Sequence, residues 1–177
     1  MKLIRTTIEG VVKIDIEPFY DNRGFFARSF CEETLTLAGH PFKVVQTNIS
    51  FNKETGTLRG LHYQDKPVED SKIVRCERGA IWDVALDLRP QSKTYLGWTA
   101  TELYANKGCA LIIPKGCAHG FITLEPTTQV LYMMGAPFVE ELARGVRWND
   151  PTFNIQWPMP PTVISNRDAN YPDYKCP

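Results

Sequence analysis

The feature that most constrains this chain is a succession of short segments rich in Val, Ile, Thr, Tyr and Phe between Val11 and Trp157, each cut off by Gly, Pro, Asn or Asp. Segments of this length and composition are strands, and turn residues at such close intervals belong to a sandwich or barrel. The pattern predicts strands over 10–16, 42–50, 72–78, 80–88, 98–103, 110–113, 120–123 and 129–134. In the run from Ala80 to Arg89, strict alternation carries Trp82, Val84, Leu86 and Leu88 to one face, expected to be core. Ile81, Asp83, Ala85 and Asp87 fall on the other face, expected to carry charge. Helical signal is confined to 31–38 and 140–144, enough for about two turns and one turn. Beyond Trp157, prolines at 158, 160 and 161 open a segment, 158–177, that is expected to be irregular. With no repeat, low-complexity tract or linker, residues 1–177 are expected to form one all-β domain of the jelly-roll or barrel kind with short helices.

Charge narrows the possible partners. Lysine plus arginine and aspartate plus glutamate stand at 20 each, so there is no basic excess to suit nucleic acid or an anionic membrane, and neither is expected as a partner. The first residues, Met1-Lys2-Leu3-Ile4-Arg5, hold charges and no apolar run of signal-peptide or membrane-span length, which makes a cytoplasmic location the expectation. The 5 cysteines form no C-x-x-C pair, and their odd number argues for reduced, mostly buried thiols.

With 3 histidines, each can be weighed individually. His40, in Ala38-Gly39-His40-Pro41, sits among turn residues and reads as a surface residue. His62, in Leu58-Arg59-Gly60-Leu61-His62-Tyr63-Gln64, shares a face with Gly60 and Gln64, opposite Leu61 and Tyr63, and a small neighbour leaves room for a ligand. His119 follows the Pro114-Lys115-Gly116 turn and is likewise surrounded by small residues. The bland alternative for both is a packing histidine bonded to backbone. A metal cage in a small β-barrel needs closely spaced histidines such as H-x-H, yet position 64 is Gln64, so no metal site is expected. Arg23 and Arg59 stand beside glycines, where a guanidinium can grip phosphate bidentately or simply face solvent.

Seven ordered tracts then resemble one family. They are Asp21-Asn22-Arg23-Gly24-Phe25-Phe26, Gln46-Thr47-Asn48-Ile49-Ser50, Leu58 to Gln64, Trp82-Asp83-Val84 with Asp87-Leu88-Arg89, Ile113-Pro114-Lys115-Gly116-Cys117-Ala118-His119-Gly120-Phe121, Trp148-Asn149-Asp150-Pro151 and Ile164-Ser165-Asn166-Arg167-Asp168. Together they are similar to the dTDP-4-dehydrorhamnose 3,5-epimerase family. The resemblance implies a cupin-type jelly roll, a homodimer with shared active sites, a nucleotide-diphosphate sugar as substrate and no cofactor. It implies His62 as base oriented by Asp168, Tyr132 as proton donor on the opposite side of the sugar, and Lys72 near the C4 oxygen. Arg23, Arg59, His119 and Arg167 are implied as sugar and diphosphate ligands, and Gln46 and Asn48 as part of the pocket lining.

The chain also departs from the family pattern. Arg28 stands where a glutamate is usual, Phe138 where a tyrosine stacks on thymine, Ala143 where a glutamate follows, and Asp70 where a glutamine precedes the lysine. Arg28 and Phe138 are expected at the nucleotide end, where these changes leave GDP- or CDP-linked sugars, heptoses included, open beside dTDP sugars. Other readings of the same pocket are a sugar ketoisomerase and a non-catalytic nucleotide-sugar-binding protein.

Overall fold

The computed structural model describes residues 1–176; Pro177, the last residue of the segment expected to be irregular, lies outside them. Two antiparallel sheets form the body. The first runs in the order β1 (Lys2–Arg5), β2 (Val12–Asp15), β10 (Ala110–Ile113), β7 (Lys72–Arg78), β12 (Thr128–Met134), β5 (Gln46–Asn52). The second runs β13 (Ala143–Gly145), β6 (Thr57–Gln64), β11 (Cys117–Thr123), β8 (Ala80–Asp87), β9 (Trp98–Tyr104), with β14 (Val163–Ile164) joining β6 in parallel. A separate hairpin pairs β3 (Phe19–Asp21) with β4 (Gly24–Phe26). Non-sequential neighbours within two facing sheets make this the expected jelly roll.

Period-two alternation explains how three apolar layers arise from two sheets. Val74 and Cys76 of β7, Leu111 and Ile113 of β10 and Val130 of β12 meet Ile81, Ala85, Leu103, Cys117 and Phe121 of the second sheet, forming the layer between the sheets. The opposite face of the first sheet, with Ile14, Ile73, Ile112 and Met133, is covered by Leu35 of helix α1 (Glu32–Leu37) and by Phe42. The opposite face of the second sheet, with Leu61, Val84, Leu86 and Ala118, lies under Val146, Phe153, Ile155 and Trp157. Each fully buried Leu, Ile or Phe in these layers contributes roughly 1.5–3 kcal/mol.

Apolar layers on both faces of the second sheet add to one expectation. In β8 the face expected to carry charge is as buried as its apolar face, because Ile81 and Ala85 point between the sheets while Asp83 and Asp87 are both 0% exposed. Each carboxylate survives there by having partners: Asp83 bonds His119, and Asp87 accepts from Arg89, Ser92 and Thr94. The segment after Trp157 is a correction. Its opening proline cluster ends at Pro161, and between there and Pro172 the chain forms β14 and a short helix, α2 (Asn166–Ala169), capped by Ser165, whose Oγ accepts the Asp168 backbone amide at 3.1 Å. The 31–38 helix is present, the 140–144 turn is a single 3-10 turn over Glu140–Leu142, and the strand expected from 42 starts only at Gln46. None of the cysteines is paired, and Cys76, Cys109 and Cys117 are buried. Among the described residues no helix is long and apolar enough to cross a membrane.

Candidate active site

The alternation that sends Leu61 and Tyr63 into the outer layer turns His62 and Gln64 toward the space between the sheets. Antiparallel register sets His62 opposite His119 on β11. The two strands approach closely at Gly60, which has φ +124, and a Cβ there would lie 2.5 Å from the Gly120 backbone, so only glycine fits. Asp168 arrives from 106 residues away. Pairing of Val163 and Ile164 with Thr57 and Leu58 lays α2 across β6, and Asp168 Oδ1 then sits 2.7 Å from His62 Nε2 while Oδ2 accepts the Gly60 amide at 3.1 Å. Burial would raise the pKa of this carboxyl, but the bonds from His62, Gly60 and Ser165 outweigh it and hold the group below its ordinary range. An imidazole backed this way is fixed in one orientation, and the His62 side chain remains 44% exposed to a cleft.

A second histidine–carboxylate pair lies deeper. His119 Nε2 is 2.7 Å from Asp83 Oδ1, with side chains 5% and 0% exposed. Asp83 Oδ2 is buried without a partner, and burial pushes this carboxyl above its usual range despite His119 and Lys72 nearby. The Tyr132 ring packs edge-on against His119 at 5.9 Å between centroids. Burial, reinforced by the charge of Asp83, raises the Tyr132 phenol above its ordinary value against the opposing pull of Arg59 and Ser50, so it keeps its proton at neutral pH.

Lys72 on β7 shares the inward face with Val74 and Cys76. Its ammonium pairs with Asp70 Oδ2 at 2.8 Å. On β5, Gln46, Asn48 and Ser50 register with Met134, Tyr132 and Val130. Gln46 donates to Asn48 Oδ1 at 3.2 Å and accepts the Phe138 amide at 3.1 Å, so one amide side chain organises two neighbours. Arg59 is steered by its Nε donating to Asn52 Oδ1 at 2.7 Å.

These side chains converge on a cleft of about 340 Å³. Of the residues singled out from sequence, His62, Lys72, Tyr132, Asn48, Arg59, His119, Phe138 and Arg167 line it, as do Asp70 and Ala143 at two of the positions that depart from the family pattern. Asp168 stands behind His62 and Gln46 behind Asn48 and Phe138, each acting on the cleft through the residue in front. Arg23 and Arg28 are not brought there. Arg23 tops the β3–β4 hairpin, with its side chain 90% exposed and paired with Asp21, and Arg28 is exposed beside Cys31.

Asp83, Gln64 and Asn52 are participants that the residue reading passed over. Gln64 accepts the Val139 amide at 2.8 Å and donates to the Pro137 carbonyl at 3.0 Å, tying down the loop that carries Phe138. Asp83 had a signal, a carboxylate in the middle of a strand whose residues are apolar from Ala80 to Leu86 apart from it; Asn52 and Gln64 had none that separates them from ordinary polar strand residues. Among the described residues no cluster of three or more His, Cys, Asp or Glu is arranged to hold a metal ion.

Comparisons with known proteins place this site in context. The model of the dTDP-4-dehydrorhamnose 3,5-epimerase family matches residues 5–175. The dTDP-4-dehydrorhamnose 3,5-epimerase of Sinorhizobium fredii is 42% identical over 167 residues, 94% of this chain and 86% of that protein. The crystal structure of the Bacillus anthracis dTDP-4-dehydrorhamnose 3,5-epimerase with TDP and PPi bound superposes with a TM-score of 0.94 at 37% identity, over 98% of this chain and 99% of that one. A 3'-monoepimerase from Streptomyces bikiniensis in complex with dTDP-quinovose has a TM-score of 0.87 at 30% identity, over 95% of this chain and 85% of that one. Sequence and fold agree over nearly the whole length, and the chain belongs to the dTDP-4-dehydrorhamnose 3,5-epimerase family of sugar-nucleotide epimerases, which are isomerases.

Proposed function

We propose that this chain inverts C3, C5 or both beside the C4 ketone of a dTDP-linked 4-keto-6-deoxy sugar, with His62 as base, Lys72 as enolate stabiliser and Tyr132 as acid. The observation that carries the reading is one cleft lined by an imidazole backed by a carboxylate, a buried ammonium and a protonated phenol. A hydrogen on carbon next to a ketone is far less acidic than an imidazolium, whose reference pKa is about 6.5, so His62 needs help. With Nε2 engaged by Asp168, the other ring nitrogen is left to take the proton. An ammonium at the ketone oxygen offsets the charge that develops there, and such preorganised donors are worth about 2.7–4 kcal/mol. Tyr132, kept protonated by burial, returns a hydrogen from the other face.

The dTDP choice is supported by the TDP bound in the Bacillus anthracis relative and the dTDP-quinovose bound in the monoepimerase. Phe138 at the cleft can stack on a base without the hydroxyl of a tyrosine, and Arg28 puts a positive charge where the family has a negative one, which keeps GDP- and CDP-linked sugars, heptoses included, as the competitors. Homodimerisation is part of the same proposal. Phe19, Tyr20, Phe25 and Phe26 are exposed on a hairpin that neither sheet covers, and Ile49 and Phe51 are exposed on the edge strand β5. A partner chain would cover them and carry its own Arg23 and Arg28 to this cleft.

The test is NMR in heavy water with dTDP-, GDP- and CDP-linked 4-keto sugars offered separately. Deuterium entering at C3 or C5 of the dTDP sugar, and not in the His62→Ala variant, is the expected result. Exchange that survives in that variant would remove His62 from the role of base, and exchange only with a GDP or CDP sugar would overturn the nucleotide assignment.

A further inference from the structure

Lys72 does not face the cleft as a free cation. Its ammonium lies 2.8 Å from Asp70 Oδ2 and donates a longer bond to the His62 carbonyl at 3.4 Å. Asp70 is itself held, because its second oxygen accepts the Gln64 backbone N–H at 2.9 Å. The pair is buried, the lysine and aspartate side chains being 6% and 8% exposed. An ammonium has three N–H donors. The protein engages two of them, and one is left for an oxygen in the cleft that Lys72 lines.

Without a fixed acceptor, a long flexible lysine stem would not hold that direction. Asp83 lies within the electrostatic reach of Lys72, and its Oδ2 is buried with no partner among the described residues.

Resting on the reading of Lys72 as enolate stabiliser, we infer that Asp70 is a positioning residue, which clamps the Lys72 ammonium and aims its remaining N–H at the ketone oxygen of the sugar. It touches no reacting atom and acts only through Lys72. The aim matters most when negative charge has built up on that oxygen, so loss of Asp70 falls on turnover more than on binding.

A double-mutant cycle between positions 70 and 72 tests this, reading kcat, KM and deuterium entry beside the ketone with the full-length protein. Asp70→Ala is expected to lower kcat about tenfold or more while KM stays within about threefold. Asp70→Asn, which keeps an oxygen to accept the ammonium, is expected to recover most of kcat. In a Lys72→Ala background, Asp70→Ala is expected to have no further effect, because the residue it positions is gone. Should the alanine variant fail to fold, as judged by its unfolding transition, Asp70→Ser takes its place in the cycle as a shorter polar side chain. An undiminished effect of the position 70 change in the Lys72→Ala background, an asparagine variant as slow as alanine, or a loss seen only in KM would each overturn the inference. Absence of deuterium entry in the unmodified protein with every nucleotide sugar would instead overturn the functional reading on which it rests.

Discussion

Two histidine–aspartate pairs border one cleft, and each joins Nε2 to Oδ1 at 2.7 Å, yet their surroundings differ at every point. His62 is 44% exposed, and its carboxylate has both oxygens engaged by donors that hold its pKa down. His119 is almost entirely enclosed, and its carboxylate has one oxygen unpartnered and a pKa pushed up by burial. The same two residue types thus give an open pair suited to exchanging a proton with a ligand and a closed pair that buttresses Tyr132. What separates them is desolvation and the number of donors to the carboxylate, not the histidine–aspartate contact itself.

The comparison can be broken most forcefully at the open pair. Replacing His62 by alanine is expected to lower kcat about ten-thousand-fold, at the upper end for loss of a general base, while TDP affinity measured by calorimetry changes little. Equal loss of affinity would mean that the open imidazole serves binding and that the two pairs do not differ in kind. Asp168→Asn keeps the shape but no longer enforces the tautomer, and a fall in kcat of about a thousand-fold is expected in the same exchange assay.

At the closed pair the balance should shift from rate to stability. Asp83→Ala strips His119 of its buried partner and is expected to cost about 1–3 kcal/mol in chemical unfolding. Its effect on kcat should be only about tenfold, an indirect consequence of a less well-supported Tyr132. A loss of rate as large as that of Asp168→Asn would make the closed pair a participant in the chemistry.

The smallest and sharpest distinction is the sign of the pH dependence. Asp168 lies below the ordinary value near 3.8, so its stabilising contribution is complete above that value and is lost as pH falls through the lower folded pKa. Asp83 lies above 3.8, so the native state holds its proton longer and stability falls as pH rises through the window above that value. Unfolding midpoints followed across the acidic range should show Asp168→Asn removing a rise with pH, and Asp83→Asn removing a fall. Two slopes of the same sign would contradict the environments described for the two pairs.

Much of this was legible in the chain. Close-set turns and β-branched segments gave the all-β class, and alternation in the Leu58 to Gln64 tract turned His62 away from Leu61 and Tyr63. In β8 alternation identified one buried face, that of Val84 and Leu86, but not that the face carrying Asp83 and Asp87 is buried too, because polarity in a strand reports what a face carries and not whether another layer covers it. The proline cluster at 158–161 misled in the C-terminal segment, since a proline acts only locally, and Ser165 could still cap a helix between that cluster and Pro172. Arg23 shows the reverse limit: its tract is plain in the sequence, but among the described residues of one chain its guanidinium binds only Asp21.

By itself the sequence determined the all-β class, most of the strands and the tracts that hold the candidate site residues, because strand pattern and residue type are local properties of the chain. The resemblance led to the expectation of Asp168 behind His62, and only the tertiary structure decided how the two meet across 106 residues, that Asp83 lies dry behind His119 and that Asp70 pairs with Lys72. Those outcomes depend on strand register and on which surface closes over which, and it is the resulting loss of water around each group that separates chemically identical residues into different roles.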